Sequence, residues 1–187
     1  MHLLLAFAGF YAAGGLAGYL EPAWMAGQTP AGAALIARPR PVAYWPMDQI
    51  ADGRCPDLSG HGHHGFLKAL GKKLPTLVEG VGGSALKTFR ESSTWVEVPC
   101  RPHLACPNAF TLSAWVKVMQ KRGAHEFIGY TGDKWGKGPR HGFRLRVFSC
   151  RVRAEFGTTS AGYFQATSPA WAVEPGYWAH VAAVYDG

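Results

Sequence analysis

From Val42 to Gly187 no window of helical length carries a sustained 3.6-residue hydrophobic period. Short runs of alternating apolar and polar residues stand there instead, separated by clusters of Gly, Pro, Asn and Asp. Trp95-Val-Glu-Val98 alternates cleanly, and Pro99 closes it. Phe110, Leu112, Ala114, Val116 and Val118 share one face of a strand, with Thr111, Ser113, Trp115 and Lys117 on the other. Trp115 breaks the alternation, as in a strand buried on both sides. Phe143, Leu145 and Val147 alternate with Arg144, Arg146 and Phe148. After a turn near Ser149, Val152, Ala154 and Phe156 alternate with Arg151, Arg153 and Glu155. That predicts a hairpin with one arginine-rich face. Trp178 to Tyr185 predicts a further strand, too apolar for a sheet edge. A helical bundle is excluded, and 24 Gly, 13 Pro and only 17% charged residues agree. With 48% hydrophobic residues the chain can bury a core, so disorder is excluded as well. The expected class is all-β, a sandwich or barrel of short antiparallel strands.

The N-terminus is different. The 18 residues Leu3 to Leu20 carry no charge, and Glu21 is the first charged side chain. The run Leu3-Leu-Leu-Ala-Phe-Ala8, with small Ala17 and Gly18 behind it, predicts a secretory signal peptide over residues 1–20. The same stretch just reaches the length of an N-terminal membrane anchor. A buried helix is the third reading. Either of the first two makes the rest of the chain secreted or cell-surface, outside the cytoplasm. Residues 21–41, with Pro22, Pro30, Pro39 and Pro41, read as an extended Pro/Ala/Gly-rich linker, and the domain begins near Val42. Cys55, Cys100, Cys106 and Cys150 form no CxxC pair, which excludes a zinc ribbon or a thioredoxin-type motif. Export would allow up to two disulfides, and Cys100 and Cys106 share one proline-flanked loop; four unpaired thiols are the other reading. The 19 Lys and Arg against 12 Asp and Glu give +7, which permits a polyanionic partner. No nucleic-acid motif accompanies that charge, so no nucleic-acid partner is expected.

Five segments carry a family likeness: Tyr44-Trp-Pro-Met-Asp48, Asp57-Leu-Ser-Gly-His-Gly-His-His-Gly65, Gly83-Ser-Ala-Leu-Lys-Thr-Phe89, Ala109-Phe-Thr-Leu-Ser-Ala-Trp-Val116 and Pro175-Gly-Tyr-Trp-Ala-His-Val-Ala-Ala-Val-Tyr-Asp-Gly187. In this order they resemble laminin-G-like domains of the concanavalin A-like lectin/glucanase superfamily, over residues 42–187. His61 and His63 replace asparagines of the family's turn. The resemblance implies a jelly-roll sandwich of two antiparallel sheets. In that family the turn at Asp186-Gly187 leads into further strands, so it also implies C-terminal strands missing from this sequence.

The glucanase branch of the superfamily carries E-x-D-x-x-E on a strand, because retaining hydrolysis needs two carboxyl groups about 5 Å apart. None of the 12 acidic residues here forms that pattern; Glu91 and Glu97 have no acid between them. The chain is therefore expected to be non-enzymatic. Calcium is implied by the resemblance, with Asp48, Asp57 and Asp186 as candidate ligands at strand ends; each is equally a turn residue bonding its own backbone. His61, His63 and His64 read as a metal cluster or, better, as a solvated turn. His180 reads as a core histidine. A carbohydrate ligand needs an aromatic platform, and Trp135, in a polar loop, is the first candidate, with Tyr130, Tyr163 and Trp171 near loops. Trp45, Trp95, Trp115 and Trp178 read as core. Arg144, Arg146 and Arg153 could grip sulfated or carboxylated glycans through bidentate guanidinium contacts, or could form a solvated strand face.

The expected function is that of an extracellular recognition module, binding carbohydrate or an extracellular protein, with the membrane reached only through an N-terminal anchor. The alternatives are an accessory domain of a larger glycan-degrading enzyme and a structural cell-surface spacer.

Overall fold

The computed structural model describes residues 3–12, 41–105, 109–131, 142–158 and 162–186. Their strands are β1 (Leu3–Ala12), β2 (Ala43–Trp45), β3 (Arg54–Cys55), β4 (Gly65–Ala69), β5 (Thr76–Glu79), β6 (Ser84–Lys87) and β7 (Thr94–Glu97). Then come β8 (Phe110–Val118), β9 (Ala124–Thr131), β10 (Gly142–Phe148), β11 (Arg151–Thr158), β12 (Gly162–Thr167) and β13 (Ala179–Tyr185). A 3-10 turn over Arg90–Ser92 and one α-helical turn, α1 (Pro102–Ala105), interrupt them. Every ladder is antiparallel. A six-stranded sheet runs β13-β8-β1-β6-β5 with β2 beside β1; a four-stranded sheet runs β12-β11-β10-β9; β3-β4-β7 form a small third sheet.

The hydrophobic period of two decides how the two large sheets meet. Phe110, Leu112, Ala114, Val116 and Val118 of β8 are all buried, as the alternation predicts. They face Phe143, Leu145 and Val147 of β10 and Ala154 of β11 across the sandwich. Phe110 seals one end, its ring 5.1 Å from that of Phe143 and 5.4 Å from that of Phe156. Met47, Cys55, Leu86, Val173 and Val181 fill the other end. A fully buried Leu or Val contributes on the order of 1.5–3 kcal/mol, so this shared layer is what joins the sheets. Ser113, on the outward side of β8, is buried too, so both faces of that strand are covered.

β10 and β11 are joined by a two-residue turn at Ser149 and Cys150, with φ of 48° and 64°. Two left-handed residues match the twist of a tight hairpin, a place usually taken by Asn and Gly. Here the turn is held from outside. Ser149 N–H donates to the Gly123 carbonyl, and the Cys150 carbonyl accepts from Val173 N–H, each at 3.2 Å.

One strand departs from expectation. β13 ends the six-stranded sheet among the described residues, although its apolar sequence predicted an interior strand. Val184 is 64% exposed there. β1, the stretch read as a leader core, pairs with β8 from Leu3↔Val118 to Ala12↔Phe110, and with β2 and β6 on its other side.

Candidate functional site

The register of the four-stranded sheet sorts its side chains. Phe143↔Phe156, Leu145↔Ala154 and Val147↔Val152 point inward, so Arg144↔Glu155, Arg146↔Arg153 and Phe148↔Arg151 share the outer face. Glu155 is fully buried there, covered by the arginines themselves. Arg144 Nε donates to Glu155 Oε2 at 2.5 Å and its Nη2 pairs with the same oxygen. Arg146 Nη2 donates to Glu155 Oε1 at 2.6 Å. Arg144 also reaches Glu126 on β9 at 3.3 Å. Arg151 Nη1 donates to the Ser168 carbonyl.

Arg153 stands apart from this lattice. Its guanidinium lies 4.6 Å from the centre of the Phe148 ring, and that of Arg146 lies 5.5 Å from it. The Nε atoms of Arg146 and Arg153 are buried without a hydrogen-bond partner. Four arginines face two glutamates, so the face keeps a positive excess, which falls on Arg151 and Arg153. Two like charges directly opposite each other repel, and the aromatic face between them recovers part of that cost.

Of the residues grouped by the sequence, Arg144, Arg146 and Arg153 come together, but the first two are largely taken up by Glu155. Tyr130 does not join them. β9 brings it opposite Phe143, on the inward side, where its ring stacks at 5.7 Å and its hydroxyl meets Cys100 Sγ at 3.3 Å. Trp135 and the Tyr163 side chain lie outside what is described. Trp171 is 58% exposed, with Lys121 Nζ 5.2 Å from its ring centre. It sits two residues before Val173, which bonds the β10–β11 turn, so an exposed aromatic stands near the end of the hairpin. Trp95, expected in the core, is 39% exposed. His180, also expected in the core, is exposed and lies against Trp115, ring centres 5.3 Å apart.

The three candidate calcium ligands are not gathered. Asp57 is 5% exposed and spends both oxygens locally: Oδ1 accepts from Tyr44 N and Ser59 N, Oδ2 from Ser59 Oγ and His63 N. Burial alone would raise its pKa, but the bonds from Ser59, Tyr44 and His63 outweigh burial and hold it below the ordinary aspartate value. Asp48 Oδ1 accepts Ser84 N at 2.8 Å and lies against Gly83, at φ 137°, where a Cβ would collide with it. Asp186 is exposed at the end of β13. Among the described residues no group of three or more His, Cys, Asp or Glu is placed to hold a metal ion.

The histidines of the turn divide. His61 is exposed; His64 Nδ1 accepts Asp57 N at 3.0 Å. His63, expected to face solvent, is only 4% exposed. Its carbonyl accepts Trp45 Nε1 at 2.7 Å, while its ring nitrogens have no partner. Cys55, Cys100 and Cys150 are free thiols, and Cys106 lies outside the described residues. Burial pushes the Cys55 thiol up to about 11, so it is inert. Among the described residues no helix is long and apolar enough to cross a membrane.

A family model, Laminin_G_3 of the Concanavalin A-like lectin/glucanases superfamily, matches residues 90–187, more than half of the chain. No curated protein and no solved structure matches it.

Proposed function

The chain belongs to the Laminin_G_3 family of the concanavalin A-like lectin/glucanase superfamily, and we propose that it is a non-enzymatic, extracytoplasmic recognition module for acidic carbohydrate. The observation that carries this reading is the unequal use of the arginines. Arg144 and Arg146 are fixed by Glu155, while Arg153 is stacked on Phe148 with its Nε unpartnered. Guanidinium on a rigid strand matches the fork of a sulfate or carboxylate, and it is pre-organised because the Phe148 ring limits its rotamers. Trp171, exposed beside the hairpin turn, offers the stacking surface that a sugar ring needs.

The test is an array of neutral, carboxylated and sulfated glycans presented to the chain with and without calcium. Acidic glycans should be retained over neutral ones, with no need of calcium. Retention of neutral glycans alone would overturn the assignment to the arginine face. A folded chain that retains none would favour a protein ligand or a spacer role.

A further inference from the structure

A second region, sharing no residue with the arginine face, carries a different inference. Gly62, His63, His64, Phe66, Pro99 and Arg101 wall a hollow of about 210 Å³. We propose that this hollow binds a small oxyanion, a carboxylate, sulfate or phosphate group, held between the His63 imidazole and the Arg101 guanidinium.

Three observations support it. His63 is only 4% exposed, yet neither ring nitrogen has a partner within the chain. A buried donor left unmade costs on the order of 1–3 kcal/mol, so a group from outside that satisfied it would bind at a profit. The charge lining the hollow is positive. Arg101 lines the hollow, and the His61 and His103 rings lie 6.1 and 6.3 Å from that of His63. No acid lines it, and the neighbouring carboxylate, Asp57, already has both oxygens bonded. The lining also lacks any carboxylate, amide or hydroxyl side chain to accept from sugar hydroxyls, which argues against a neutral sugar. A metal ion is disfavoured because the His61 and His63 rings stack at 27° instead of aiming their nitrogens at one point.

Protonation couples to binding. Burial is the main reason the His63 pKa lies below its ordinary value; the Asp57 carboxylate pulls it up, and the neighbouring His61, His103 and Arg101 push it down. An oxyanion in the hollow adds negative charge, so it should bind more tightly as the pH falls through the histidine range.

The experiment follows the imidazole ¹⁵N resonances of the full chain during separate titrations with sodium acetate, sodium sulfate and sodium phosphate. Sodium chloride at matched ionic strength is the control. His63→Asn assigns the resonance and keeps the backbone bonds to Asp57 and Trp45. The His63 signal should shift saturably, and Arg101→Ala, at an exposed position, should weaken binding by about tenfold. A response to acetate alone identifies a carboxylate ligand; a response to sulfate or phosphate identifies a sulfated or phosphorylated one. Shifts no larger than those with chloride, or equal shifts in Arg101→Ala, would overturn the proposal. So would a joint response of His61, His63 and His103 to zinc with none to the anions.

Discussion

Glu155 and His63 are both polar, both almost wholly removed from water, and they differ in what surrounds them. Glu155 is enclosed by two arginines that reach it from the neighbouring strand, so its burial is compensated within the chain. His63 owes its place to its backbone: the N–H binds Asp57 and the carbonyl binds Trp45, which leaves the imidazole carried into the interior without a partner. The first is part of how the sheet is held; the second is capacity left for something else. A buried polar group therefore points to a ligand only when its bonds cannot be found at home.

The largest effect that could break this comparison is at Glu155. Glu155→Ala leaves Arg144 and Arg146, each 15% exposed, without their shared carboxylate. The variant should lose about 3–5 kcal/mol, read by urea denaturation at neutral pH. A loss below about 1 kcal/mol would mean that solvent replaces the carboxylate and that the network is not structural.

Asp57 sharpens the contrast, since it supports the backbone that carries His63. Asp57→Asn should cost about 2 kcal/mol at pH 7, as a charged acceptor of several bonds is neutralised. Because the native pKa lies below the ordinary aspartate value, the stabilisation is present above about pH 4 and fades as the pH falls through the native pKa. Denaturation at pH 7 and at pH 3 should show the gap between variant and parent closing in acid. A gap independent of pH would contradict the capping role.

How much of this was legible in the sequence follows from which distances the chain alone encodes. Alternation along β10 and β11 encodes faces, so the arginine-rich side of the hairpin could be read directly. The partner of each arginine could not, because Arg144↔Glu155 depends on a register fixed by the turn at Ser149-Cys150. β9 escaped notice because a bulge between its pairings with Leu145 and Arg146 interrupts the period near Phe127. The same strand parity places Tyr130 inward, against Phe143, away from the arginines with which it was grouped. The five family segments pointed to the sandwich, and the match over residues 90–187 agrees. The burial of His63 left no mark on hydropathy, since it comes from two backbone bonds to side chains, Asp57 six residues back and Trp45 eighteen.

The smallest expected change in stability is at the residue with the largest expected role in binding. Arg153→Ala removes a ring contact but relieves repulsion from Arg146, so stability should move by no more than about 0.5 kcal/mol in either direction. That makes it a clean probe of function. The deciding measurement is the affinity of the parent chain and of Arg153→Ala for an immobilised sulfated glycan across a range of salt concentrations. The account predicts parent affinity that falls steeply with salt, and a variant that binds about tenfold more weakly with a shallower dependence. Equal affinity in the two chains, or binding indifferent to salt, would contradict recognition at the arginine face.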